Sequence, residues 1–225
     1  MRTEQEYRTI IDSIKAELGR ARLMAVSKTR TVEEIDAVYR TGVRLFGENH
    51  VQEIVGKFTD YRPEGLELHM IGHLQTNKVS KVVPLVDMIE SIDSFRLLKK
   101  VNDAALACNK TIDVLLEFNT SSEESKSGFL TEEELFDCIE QAKGLGNVVI
   151  RGLMTVGPLE HPENTRSAFI LLRELKAKCL EKYGSFLKNF DVLSMGMSSD
   201  WETAVQEGST EVRIGTTIFG ERIYV

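Results

Sequence analysis

Lys28 closes the apolar run Leu23-Met24-Ala25-Val26-Ser27 near the start of the chain. Two small-residue, hydroxyl-rich segments stand near the other end, Met195-Gly196-Met197-Ser198-Ser199-Asp200 and Gly215-Thr216-Thr217. A primary amine stranded at the end of a buried strand and facing such turns has the chemistry of a Schiff-base lysine beside a phosphate site. In the first segment Gly196 removes a side chain, Ser198 and Ser199 offer hydroxyls, and the helix expected after them offers free backbone N–H groups to an anion. The second segment supplies another set of N–H groups and hydroxyls. Taken singly, each reads more simply as a helix cap or a turn; their placement at two adjacent strand ends favours a phosphate.

A lysine at a strand end is ordinarily a solvated loop residue. Lys28, however, continues the parity of Met24 and Val26, so its stem is expected to point inward, where loss of solvent favours the neutral amine. A neutral amine attacks carbonyls, and with phosphate turns opposite it suggests an aldimine with a phosphorylated aldehyde. Arg213 shares parity with Gly215 and should face the same hollow, against either a phosphate or a ring nitrogen. An ion pair with an interior carboxylate such as Glu48 or Asp93 is the other reading of Arg213.

The elements that must position these residues follow from periodicity. Tyr7, Ile10, Ile11, Ile14 and Leu18 recur at helical spacing, and Gly19 ends that leading helix. After it, eight β-rich runs are expected at 23–28, 43–47, 66–71, 87–92, 112–118, 148–155, 190–195 and 211–214, the last extended by Ile218-Phe219. Between them lie helical stretches. Capping boxes mark helix starts at Thr31 with Glu34, Thr131 with Glu134 and Ser199 with Glu202. The longest helix is expected to begin near Pro162 and to bury Ala168, Phe169, Leu172, Leu175 and Leu180. Strict alternation needs right-handed crossovers and hence a parallel sheet. The fold class is therefore α/β, a single (β/α)8 TIM barrel with an extra N-terminal helix spanning residues 1–225 as one domain; a doubly wound open sheet is the alternative. In a barrel the reacting groups gather at the carboxyl ends of the strands, and phosphate favours the loops after strands seven and eight.

Bulk properties exclude several classes. With 42% hydrophobic and 28% charged residues the chain has the material for a core, and disorder is not expected. A net charge of -7 without a concentrated basic face argues against nucleic acid. The first residues lack a signal-peptide core and no apolar run reaches membrane-spanning length, so a cytoplasmic protein with no membrane partner is expected. Cys108, Cys138 and Cys179 lie far apart in helix-like segments and read as small buried hydrophobes. His69 and His73 stand four apart but span a strand end and a glycine, which does not suit a metal site.

With these residues in hand, the chain resembles the pyridoxal phosphate (PLP) homeostasis family, whose barrel is similar to the N-terminal domain of alanine racemase. The resemblance is carried by Val26-Ser27-Lys28-Thr29, Phe46-Gly47-Glu48-Asn49 with Val51-Gln52-Glu53, the stretch from His69 to Lys78, and Ser91-Ile92-Asp93-Ser94. It continues through Ser125-Lys126-Ser127-Gly128, Gly152-Leu153-Met154, and Leu193 to Asp200 leading into Thr210 to Gly220. It implies the vitamin B6 cofactor pyridoxal 5'-phosphate, held as an internal aldimine on Lys28, with Asn49 beside the ring and Ile71 and Met197 lining the ring pocket. It further implies that Ser198, Gly215 and Thr216 hold the phosphate and that Arg213 approaches the pyridine nitrogen. An arginine there would not protonate that nitrogen, which limits carbanion chemistry. The segment Thr120 to Glu124 and the tail Glu221 to Val225 depart from the family's pattern.

A racemase needs a second acid/base group on the opposite face of the substrate carbon, and in alanine racemase an added β-rich domain and a partner subunit accompany it. This chain ends just after strand eight, leaving His69 or His73 as the imidazoles available. The expectation is a monomeric PLP carrier, without robust catalysis, that buffers the cofactor and delivers it to apo-enzymes. A PLP-dependent amino-acid racemase is the runner-up, and an aldolase-type barrel using Lys28 on a sugar phosphate is a third reading.

Overall fold

Strands β1 (Arg22–Val26), β2 (Leu45–Glu48), β3 (Glu67–Met70), β4 (Met88–Ile92), β5 (Ile112–Glu117), β6 (Val148–Met154), β7 (Val192–Met197) and β8 (Glu211–Ile214) lie side by side in chain order. All pairings are parallel, and β8 pairs back onto β1 through Arg22↔Glu211 and Met24↔Arg213, which shuts the ring. The computed structural model describes residues 2–121, 123, 126–158 and 161–221, so Ser125 of the resemblance lies outside the described residues.

Helices α1 (Glu4–Glu17), α2 (Val32–Arg40), α3 (Val51–Phe58), α4 (Val79–Val82), α5 (Phe95–Ala107), α6 (Glu132–Ala142), α7 (Thr165–Tyr183), α8 (Trp201–Gln206) and α9 (Thr216–Phe219) surround the sheet. Strand alternation divides the apolar residues: Ala25, Phe46, Leu68 and Ile89 face the helices within the main core, whereas Met24, Val26 and Leu45 pack with Ile71 inside the ring. A second interior group, Met88, Leu115 and Met154, sits with Val156 and Val192. Capping boxes hold the starts of α1, α2 and α6, where Thr3, Thr31 and Thr131 exchange hydrogen bonds with Glu6, Glu34 and Glu134. Outside the repeat, α1 buries Tyr7 and Ile11 and lays the Tyr7 ring edge-on to Phe219 of α9 at 5.9 Å.

Several expected boundaries move. Ile218 and Phe219 do not extend β8: the N–H groups of both bond to Gly215 O, at 3.0 and 2.9 Å, and make the turn of α9. β1 stops at Val26, leaving Lys28 two residues past the strand end. α8 begins at Trp201 with Asp200, not Ser199, as its N-cap, and the Asp200 carboxylate reaches back to accept from Met197 N–H at 2.5 Å. Leu180 is 39% exposed, on the outer face of α7, and Cys108 at the end of α5 is exposed while Cys138 and Cys179 are buried. Among the described residues no helix is long and apolar enough to cross a membrane.

β7 runs through Gly196, which therefore lies inside a strand and not in a turn. Its φ of +98° suits glycine, and a Cβ there would meet Ala204 Cβ of α8 at 2.5 Å and Trp201 Cα at 3.1 Å. The missing side chain seats α8 on the strand, and α8 in turn fixes the loop carrying Ser198. Gly196→Ala is expected to cost about 3 kcal/mol from overpacking and backbone strain together. The denaturation midpoint of the variant measures it; a change below about 1 kcal/mol would show that α8 moves away freely.

Candidate functional site

A cavity of about 590 Å³ opens at the carboxyl ends of β1, β2, β3, β7 and β8. Its wall contains Lys28, Asn49, Ile71, Met197, Ser198, Arg213, Gly215 and Thr216, the eight residues that the sequence reading assigned to the cofactor, together with Val26, Val156, Ser199 and Thr217. That volume lies in the usual range for small-molecule sites.

Lys28 is presented by an elbow held from outside the cavity. Ser27 is buried; its N–H donates to Gly47 O at 2.9 Å and its hydroxyl to Glu48 Oε1 at 2.7 Å. Lys57 of α3 donates to Ser27 O, Glu48 and Glu53 at 2.9, 3.0 and 2.6 Å. Thr29 takes φ +64°, in the left-handed region that a β-branched residue enters only under constraint, and its N–H donates to Glu53 Oε2 at 2.6 Å. Lys28 thus stands between a buried serine fastened to Glu48 and Lys57 and a left-handed threonine fastened to Glu53. Burial pushes the Glu48 carboxyl up against the opposing charge of Lys57; its second oxygen has no hydrogen-bond partner among the described residues.

The two hydroxyl-rich loops are joined by one side chain. Ser198 Oγ accepts from the N–H groups of Gly215 and Thr217, each at 3.3 Å, which occupies its lone pairs and leaves its hydrogen for an acceptor. Across the cavity, Asn49 Oδ1 is buried and, among the described residues, has no hydrogen-bond partner. Such an atom is costly unless a donor reaches it. With the Ser198 hydrogen and the guanidinium, it forms a set suited to an anionic molecule carrying both donors and acceptors.

Arg213 is 5% exposed and makes no ion pair with Glu48 or Asp93 among the described residues. Its Nη1 donates to Ser194 Oγ and its Nη2 to Thr155 O, both at 2.7 Å. Glu48 instead pairs with Lys57, and Asp93 with the exposed His73.

Beneath the cavity lies a cluster that the sequence reading did not find. His69 is fully buried, with Nδ1 2.6 Å from Glu90 Oε1 and Nε2 2.9 Å from Glu67 Oε1. Glu211 Oε1 is 3.6 Å from the same Nδ1. Ligand atoms of His69, Glu90 and Glu211 lie within 4.8 Å of one another, so His69 meets two carboxylates from other strands rather than His73. Burial would lower the imidazole, but the charges and hydrogen bonds of Glu211, Glu67 and Glu90 hold it well above its ordinary value. Burial pushes Glu211 up to about 7, with the charge of Glu90 adding to the effect. The signal for this cluster was parity: Glu67, His69 and Ile71 alternate along β3, as Glu211, Arg213 and Gly215 do along β8.

The chain matches the family model described as the N-terminal domain of alanine racemase over residues 5–223. It is 43% identical over 205 residues to a pyridoxal phosphate homeostasis protein of Aquifex aeolicus, covering 91% of this chain and 88% of that one. A second such protein, from Vibrio cholerae, is 41% identical over 228 residues, covering 95% and 92%. Among solved structures, that of PipY from Synechococcus elongatus with PLP bound superposes with a TM-score of 0.85 at 33% identity, covering 95% of this chain and all, 100%, of that one.

Glu117, 7% exposed at the end of β5, carries a pH prediction. Burial, and secondarily the charge of Asp93, push its carboxyl up to about 7. A folded-state pKa above the unfolded value gives stability that is full below about 4.5 and lost as pH rises through about 7. The loss is on the order of 3 kcal/mol at most. Glu117→Gln, which cannot ionise, is expected to melt several degrees above the native chain at pH 8 and level with it at about pH 4. Thermal melts across that range check it, and parallel curves for the two proteins would refute it.

Proposed function

This chain belongs to the alanine racemase N-terminal domain family and, within it, to the pyridoxal phosphate homeostasis proteins, and on that premise we propose that it binds PLP through Lys28 and acts as a carrier. The observation behind the reading is the convergence of an amine, a guanidinium, a partnerless Asn49 Oδ1 and two hydroxyl-bearing loops on one cavity. The PLP-bound PipY structure, at 33% identity, supports it. When bound, PLP supplies an aldehyde able to form a Schiff base with a primary amine, and a phosphate dianion that calls for several donors.

Eight of the wall residues then have a task. Lys28 offers the amine from its braced elbow. Ser198 and Thr216 would donate to the phosphate, with Gly215 beside it giving its N–H to Ser198 Oγ and so turning the serine hydrogen outward; Ile71 and Met197 would exclude water from the ring faces, Asn49 would accept from a ring substituent, and Arg213 would donate to the ring nitrogen. An arginine keeps its own protons at neutral pH, so the ring nitrogen stays unprotonated and carbanion chemistry is weak. Of the described wall residues, Lys28 and Arg213 are the titratable ones. The imidazoles considered as opposing bases are occupied elsewhere: His69 by Glu67 and Glu90, His73 by Asp93 and Ser127. We therefore favour reversible holding of PLP by a cytoplasmic monomer that buffers the aldehyde and hands it to apo-enzymes, over amino-acid racemisation.

Titration of the purified chain with PLP is expected to give a visible absorption band that Lys28→Ala abolishes. Ser198→Ala is expected to weaken binding about tenfold through loss of a hydrogen bond to a charged group. The loaded protein should reconstitute an apo-acceptor enzyme and leave L-alanine stereochemically unchanged. A band that survives in Lys28→Ala would overturn the assignment of the amine, and stereoinversion dependent on Lys28 would favour the racemase.

A further inference from the structure

The hydrogen bonds below the cavity have a fixed direction. A guanidinium only donates, so Ser194 Oγ accepts from Arg213 Nη1 at 2.7 Å and must place its single hydrogen on Glu90 Oε2, 2.5 Å away. Glu90 is thereby an acceptor at Oε2, and at Oε1 it meets His69 Nδ1 at 2.6 Å. The other ring nitrogen faces Glu67 Oε1, a carboxylate already ion-paired with Arg22, so both nitrogens carry hydrogen and the ring is an imidazolium. Two cations, Arg213 and His69, lean on the two oxygens of one fully buried carboxylate, Glu90.

This arrangement does something specific to Arg213. Its charge is 5% exposed and is balanced not by a touching carboxylate but by one a hydroxyl away, with Thr155 O fixing the second terminal nitrogen. A carboxylate in direct contact would take the guanidinium fork face-on and turn both parallel N–H groups away from the cavity. The intervening serine accepts one N–H only. The remaining donors of Arg213 stay available along the cavity wall, while the charge of Glu90 holds the group at the floor.

We infer that Glu90, acting through Ser194, is a positioning residue for Arg213 and sets how strongly the site holds the ring of its ligand, as distinct from the phosphate. The inference rests on the PLP reading above and adds to it a determinant outside the cavity wall, on β4 and β7. The phosphate end, built from Ser198, Gly215 and Thr216, shares no hydrogen bond with this chain of groups among the described residues.

The test compares PLP with a probe that has no ring. Affinity for PLP is read by absorbance titration of the full chain, and affinity for inorganic phosphate by its competition against PLP. Removing one partner of a buried charge pair can unfold a protein, so Ser194→Ala, which alters no charge, accompanies Glu90→Gln. Both variants are expected to lose about tenfold in PLP affinity, the scale of one hydrogen bond to a charged group. Their visible band should shift, and their phosphate affinity should stay within about twofold of the native value. If Ser194→Ala folds and binds PLP as tightly as the native chain with the same spectrum, the positioning role is wrong. An equal loss for PLP and phosphate would also overturn it, because that pattern marks general loosening of the barrel. A native chain that develops no band with PLP would instead refute the underlying function.

Discussion

The constraint on which this molecule turns is the burial of ionised groups inside a closed sheet. Barrel interiors are ordinarily filled with branched apolar side chains in layers. Here the apolar filling is split into two patches, Met24, Val26, Leu45 and Ile71 on one side and Met88, Leu115, Met154, Val156 and Val192 on the other. The strands also carry a linked set of polar side chains, Arg22, Glu67, His69, Glu90, Ser194, Glu211 and Arg213, most of them out of reach of water. Charges removed from solvent are tolerable only when each finds a partner with good geometry, and loss of one partner leaves the other uncompensated. The side chains of this group are therefore mutually dependent. The cavity inherits that order, since Arg213 belongs both to this group and to the cavity wall.

The amine is controlled differently, from outside the ring. Glu48 at the end of β2 and Glu53 and Lys57 on α3 fasten Ser27 and Thr29, and the left-handed threonine is held by a carboxylate on its N–H. A lysine side chain has several rotatable bonds, and fixing its backbone on both sides lowers the entropy lost when its nitrogen is engaged. The site thus combines an externally braced amine with an internally braced guanidinium, and among the described residues the two supports share none.

Much of this was legible in the sequence because the relevant signals are local. Alternation of strand and helix patterns implied the parallel sheet, and the capping boxes at Thr31 and Thr131 marked helix starts at the residues where they occur. Strand parity and strand ends pointed to Lys28, Asn49, Ser198, Arg213, Gly215 and Thr216, while Ile71 and Met197 came from the family resemblance. What escaped was non-local or balanced between competing local preferences. Closure of β8 onto β1, nearly two hundred residues away, was expected from the count of eight units, but the residues that pair across the seam are reported by no window of sequence. His69, Glu90 and Glu211 come from three strands and each, alone, reads as a stray polar residue in an apolar run. Ile218 and Phe219 have strong β propensity, yet the carbonyl of Gly215 captures their N–H groups and wins them for a helix. Ser199 offered a good cap, but Asp200 took the position and turned its carboxylate to the backbone of Met197 instead.

The joint between β1 and β8 gives the cavity one more property. Lys28 follows the first strand and Thr216 the last, so groups from opposite ends of the chain become neighbours only because the ring is shut. A molecule gripped by both behaves as a clasp across that seam: it stabilises the sealed ring by mass action, and the ring, once parted, has nothing to grip it with. Occupancy of the cavity and closure of that one strand pair are in this way linked, because the groups that meet there are brought together by the pairing of β1 with β8.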